Sequence, residues 1–129
     1  MSHISEIRCE IKDLDALADA AAALGGTLNL NTGRFKAYFD NAENRSDHSI
    51  SFPNSRYEIG VVERGDHEGY TLKCDWFSTG NLQEIAGTEG AKLVDEYNAA
   101  VVWRHYSQQG YNLNRYQNDA GEIVLEASK

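Results

Sequence analysis

Within its first 26 residues the chain changes hydrophobic period once, and that change limits the folds open to it. Ile7, Cys9 and Ile11 recur at every second position, the spacing of a half-buried strand over residues 3–11. From Leu14 the spacing becomes three and four. Leu14, Leu17, Ala21 and Leu24 then draw one apolar stripe along an eleven-residue helix. Asp13 stands where a side-chain oxygen can accept an early backbone N–H, and Asp15 adds favourable charge to the first turn. The many alanines favour helix and allow close approach to a sheet. Gly25-Gly26 end the helix, because glycine accepts the left-handed cap conformation.

The rest of the chain repeats these two periods. Thr27–Leu30 reads as a short strand, and Arg34–Phe39 as another, joined through Asn31-Thr32-Gly33. Residues 40–55 are polar, hold the only proline, Pro53, and carry a weak alternation at Ile50 and Phe52, enough for a scrap of strand. A loop of this length is either functional or mobile. Arg56–Glu63 and Tyr70–Phe77 form the clearest hairpin, with glycines at 65 and 69 where the chain reverses. Residues 78–90 read as a loop with room for one turn at Leu82–Ile85. A second helix is predicted over Glu89–Gln109, with Leu93, Tyr97, Ala100, Val101 and Arg104 as its stripe. Tyr111–Gln117 and Glu122–Ala127 make a final hairpin across Asn118-Asp119-Ala120-Gly121. Helices separated by hairpins imply one α+β domain over residues 1–129: a single antiparallel sheet of five or more strands with two helices packed on one face.

At 129 residues and 41% apolar, the chain can bury a core without staples. It has no run of 18 apolar residues and no basic-then-apolar leader, so neither a membrane span nor a secretory signal is expected. Cys9 and Cys74, on apolar-patterned segments far apart in sequence, are expected to be buried free thiols in a reducing compartment. Without an export signal, Asn44-Arg45-Ser46 reads as a chance match to a glycosylation sequon. A net charge of −8 argues against duplex nucleic acid as a partner and otherwise serves solubility.

Several segments, taken in order, are similar to one family. The opening strand–cap–helix is one, and Tyr57-Glu58-Ile59-Gly60 resembles its tyrosine–acidic–isoleucine–glycine strand. Tyr70 and Asp75-Trp76 stand where it carries a tyrosine and then an aspartate leading into aromatics. Tyr97 falls in its last helix, Gln109-Gly110-Tyr111 resembles its exit, and Gly121–Leu125 its closing strand. The family is the hypothetical chloroplast reading frame number 35 family, a domain of unknown function in algal plastids, cyanobacteria and some phages. The resemblance touches most of the chain, least so residues 40–55, and implies a fold without a biochemical role. The thiols and the missing leader lead to an expected cytoplasmic setting, to which the resemblance adds a plastid stroma or the cytoplasm of a phage-infected cell. The family has no assigned catalytic residues to carry over, and Trp103-Arg104-His105-Tyr106 has no counterpart in its pattern.

No complete catalytic motif stands out. The four histidines are scattered at 3, 48, 67 and 105, without the paired spacing of a zinc site. Asp66-His67-Glu68 puts three metal-capable groups in one turn, an arrangement that is more often simply solvated. Gly87–Lys92 lacks the spacing of a phosphate loop and reads as a helix entry. Asp95-Glu96 lie on neighbouring helix faces and read as solvated. The one suggestive cluster is aromatic and cationic: Trp103, Arg104, His105, Tyr106, Tyr111, Arg115 and Tyr116 within fourteen positions. Rings stack on planar groups, and arginine pairs with phosphate or carboxylate. Trp103, Arg104, Tyr111, Arg115 and Tyr116 are therefore the candidate binding residues. The competing explanation is that half of these rings are core and the rest lie along the surface.

Three functions remain open at this level. One is a non-enzymatic binding or adaptor protein using a sheet face and the aromatic end of the second helix. Another is a small-ligand receptor or sponge, for instance for a nucleotide signal, with its pocket at a subunit interface. The third is an enzyme with His67 or His105 as general base. No cofactor is expected. The expected partner is a protein or a small molecule, with homo-oligomerisation open and no membrane involved.

Overall fold

A computed structural model describes residues 4–65 and 68–129. Strand β1 (Ile4–Ile11) leads into helix α1 (Leu14–Ala23), then β2 (Thr27–Asn29), β3 (His48–Ser51), β4 (Ile59–Glu63) and β5 (Tyr70–Asp75). A short helix α2 (Leu82–Ala86) precedes the long helix α3 (Ala91–Gln108), and β6 (Asn112–Gln117) and β7 (Ile123–Ser128) close the chain. The first five strands form one antiparallel sheet in the order β1-β5-β4-β3-β2, and β6–β7 form a separate two-stranded sheet. The α+β architecture expected from the sequence is present, with α1 and α3 side by side against the sheet.

Local chemistry sets the first helix. Asp13 Oδ1 accepts the backbone N–H groups of Asp15 and Ala16 at 2.9 and 3.1 Å. At the other end the Gly26 N–H reaches Ala21 O and the Gly25 N–H reaches Ala22 O, a paired closure that requires the positive φ of Gly25 (84°). Helix α3 ties into this entry: the Tyr97 hydroxyl accepts from the Lys12 and Asp13 N–H groups at 3.0 and 3.2 Å.

Register places the core. Ile7, Leu72, Val61 and Ile59 share the helix-facing side of the sheet with Cys74 and Ile50, and all are buried. Between Ile7 and Ile11, β1 takes four steps against two on β5. Because the excess is even, both isoleucines still point inward. Leu17, Ala20, Ala21, Leu93 and Tyr97 complete the core from the helices. Gly90, at the start of α3, lies so close to Ile7 that a Cβ there would meet its side chain at 2.9 Å.

Residues 34–39 are not a strand. Arg34 makes one isolated bridge, to Arg45, and the chain from 30 to 47 instead folds back across the other face of the sheet. Phe35, 2% exposed, lies directly over Gly60, the one position of β4 that leaves room for a ring. Tyr38 and Phe39 remain exposed, so the alternation of this segment never finds a second layer. Asp75, itself buried, fixes the segment by accepting the Tyr38 N–H at 3.1 Å, and also accepts the Phe77 N–H at 2.9 Å. The other boundaries shift modestly. Strand β4 begins at Ile59 rather than Arg56, since Tyr57 turns inward over Gly80. Strand β5 ends at Asp75, and α3 starts at Ala91 after a tight turn over Thr88–Gly90. The expected scrap of strand near Ile50 is β3, paired on both sides.

Candidate functional site

The stripe of α3 runs out halfway along the helix. Leu93, Tyr97 and Ala100 are buried, but beyond Ala100 no described residue is. The hairpin that follows lies on α3 without sealing it. Pairing of Leu113 with Ala127, Arg115 with Leu125 and Gln117 with Ile123 puts these six on one face. Leu125 and Arg115 of that face line hollows against α3. Asn112, Asn114, Tyr116, Val124, Glu126 and Ser128 make the opposite face. Val102, Trp103, Tyr106 and Tyr116 are 41, 38, 37 and 45% exposed.

The five candidate residues all fall in this unit, and the structure separates them into three settings. Trp103 and Arg115 line one hollow of about 310 Å³ between α1, α3 and the hairpin, with Asp19, Glu96 and Leu125 on its walls. Arg115 donates to Glu96 at 2.8 Å, and Arg104 donates through Nε to Asp19 at 2.6 Å. Both guanidinium groups are held above the ordinary arginine range, in each case first by the hydrogen bond to that carboxylate. For Arg104 and Arg115 to hold a phosphate or carboxylate of a partner, both guanidinium groups would have to be unengaged and face one concavity. Here each has an internal carboxylate partner, because acidic side chains of α1 and α3 lie within reach of both. Tyr111 sits apart, edge-on to Tyr106 at 5.3 Å with the Lys129 ammonium 4.9 Å from its ring centre. Tyr116 lies on the opposite hairpin face, its hydroxyl pKa raised chiefly by a hydrogen bond to Glu126.

Other chemistry-bearing groups are dispersed. His105 is exposed at the end of α3, its ring 3.2 Å from the Gln109 amide and edge-on to Tyr106. His3, Asp66 and His67 lie outside the described residues, so the turn triplet and one candidate base have no geometry here. Among the described residues no three metal-capable side chains cluster. His48 is buried, accepts the Asn31 N–H on Nδ1 at 2.9 Å and rests against Tyr70. Cys74 is buried and free as expected, and burial and then Asp75 push its thiol up to about 12. Cys9 is free but only half-buried, a correction to the sequence reading. It sits in the irregular stretch of β1, the outer strand of the sheet, and packs against the margin of the core rather than within it.

Two features were not legible in the sequence. A groove of about 590 Å³ runs between the outer strand β1 and the start of α3, lined by Glu6, Arg8, Trp76, Val94 and Asp95 among others. A knot of rings, Tyr38 edge-on to both Phe39 and Phe77, stands at the end of β5. Their members are scattered through the chain, so no local pattern in the sequence marks them.

Compared with known protein families, with curated proteins and with solved structures, the chain matches none. No helix among the described residues is long and apolar enough to cross a membrane.

Proposed function

We propose that this chain is a non-enzymatic binding or adaptor protein whose docking surface is the second half of α3 together with β6–β7. The observation that carries this is the unit after Ala100, which is regularly folded and ring-rich yet buries none of its residues. Isolated exposed apolar side chains are ordinary, but the gathering of Val102, Trp103, Tyr106 and Tyr116, all exposed, on one helix end and the hairpin after it favours an interaction surface. Residues 30–47 cover the part of the other sheet face over β4, with Phe35 on Gly60, and the reading rests on the helix end and hairpin. The chloroplast reading frame resemblance remains part of this proposal as a source of fold alone.

A photo-crosslinking residue placed at Trp103 or at Tyr116, in cells that express the chain naturally, tests it. Discrete adducts from these two positions, absent from control positions Glu43 and Asp40, are expected. Equal labelling at all four, or none at 103 and 116, removes the proposal.

A second reading, small-ligand binding, draws on the groove beside Trp76, which is of ligand size. Its carboxylates Glu6, Glu89 and Asp95 outnumber Arg8, so it suits a neutral or cationic planar molecule better than a nucleotide.

A further inference from the structure

We propose that the docking surface is occupied by a second copy of this chain, joined antiparallel along the outer edge of β7 and centred on Leu125. The inference rests on the docking reading above and adds the occupant and its register. Three observations lead to it.

The first is the open edge. A two-stranded hairpin is marginal in water, and β7 pairs only with β6 among the described strands. The hollow that includes α1 residues is lined by Arg115 of β6 together with Leu125 of β7, whereas the hollow lined by Glu122, Ile123 and Leu125 includes no residue of α1 or β6. Strand β7 is therefore the outer strand, and that second hollow, about 430 Å³ with Ala99, Val102 and Leu125 in its walls, opens beside it. Unprotected edges of this kind invite another strand.

The second is charge. Residues 101–129 hold Arg104, Arg115 and Lys129 against Asp119, Glu122 and Glu126, so the whole net charge of −8 belongs to residues 1–100. The net repulsion between two such chains is therefore least where this neutral unit faces its copy.

The third is register. A two-fold axis between identical antiparallel strands keeps each residue on its own face, so a residue must oppose one an even number of positions away. Centring on Glu126 sets that carboxylate against itself. Centring on Val124 sets Glu122 against the partner's Glu126. Like charges directly opposite destabilise a pair. Centring on Leu125 avoids both: Ile123 meets the partner's Ala127, Leu125 meets the partner's Leu125, and Val124 meets the partner's Glu126. The result is a four-stranded sheet with both α3 helices on its Leu125 side.

Sedimentation velocity of the full chain over a concentration series tests the proposal. A reversible species at twice 14.4 kDa is expected. Val124→Glu sets two carboxylate pairs across the axis and should weaken the dimer roughly tenfold. Val124→Lys, which loses the same half-buried side chain but meets the partner's Glu126 favourably, should hold it. V124E/E126K should restore what V124E loses. A chain that stays at 14.4 kDa throughout overturns the proposal. So does a dimer that responds equally to V124E and V124K, or one that the double variant fails to restore. A monomer that still gives adducts of another mass from Trp103 or Tyr116 overturns the second copy while keeping the docking reading. A monomer with no adducts overturns both.

Discussion

Replacing Gly60 with alanine tests whether the back of the sheet is closed by Phe35. A Cβ at Gly60 would come within 2.3 Å of Phe35 Cδ1, 2.6 Å of Cε1 and 2.9 Å of Cγ. These atoms belong to a buried ring rather than to the free end of a flexible chain, so the ring must be displaced. Overpacking of this kind costs about 1–3 kcal/mol. Phe35→Ala removes the ring instead and leaves a cavity, at a cost of about 3–5 kcal/mol. In that background the new methyl group at 60 has no ring to strike. Alanine is also better than glycine within a strand by roughly 0.5–1 kcal/mol, so G60A should then be neutral or mildly stabilising. The double-mutant cycle should therefore show a favourable coupling of about 1–4 kcal/mol. Urea unfolding of the four proteins, followed by far-ultraviolet circular dichroism, measures it. If G60A costs the same with and without Phe35, the ring does not close this face and the account of residues 30–47 is wrong.

Asp75→Ala strands the Tyr38 and Phe77 N–H groups and should cost about 2–3 kcal/mol by the same urea assay, with Asp75→Asn between it and the parent. Tyr97→Phe leaves the Lys12 and Asp13 N–H groups without their shared acceptor and should cost about 1–3 kcal/mol, while spectra of the folded protein stay unchanged. The Cys74 thiol moves from 9.0 up to about 12 on folding, so above pH 9 the unfolded chain gives up a proton that the folded chain keeps. This contribution is complete below pH 9 and is lost as pH rises towards about 12. Urea midpoints across that window should therefore fall less steeply for Cys74→Ala than for the parent. A disulfide-exchange reagent at neutral pH should label Cys9 slowly, with its pKa raised first by burial and then by Glu10, and should label Cys74 only on unfolding.

Where one residue's neighbours lie within a turn or a strand of it, the sequence determined the outcome. The Asp13 cap, the Gly25-Gly26 closure, the inward Ile7 and Ile11, the hairpins and the first half of the α3 stripe, Leu93 to Ala100, all follow from spacing, because periods of two and 3.6 map directly onto faces. The stripe also held a warning. It passes from Ala100 to Val101 and Arg104, and burial ends at Ala100. Tertiary structure decided what depends on partners distant in sequence. Residues 34–39 alternate like a strand, yet β3 fills the place beside β4, and Phe35 goes to the far face because Gly60 leaves it a seat there. Arg104 and Arg115 looked free to hold an anion until α1 and α3 brought Asp19 and Glu96 against them. Charge pairing and face closure arise between elements that meet only in the folded chain, and no local period encodes which carboxylate, or which glycine, will be waiting.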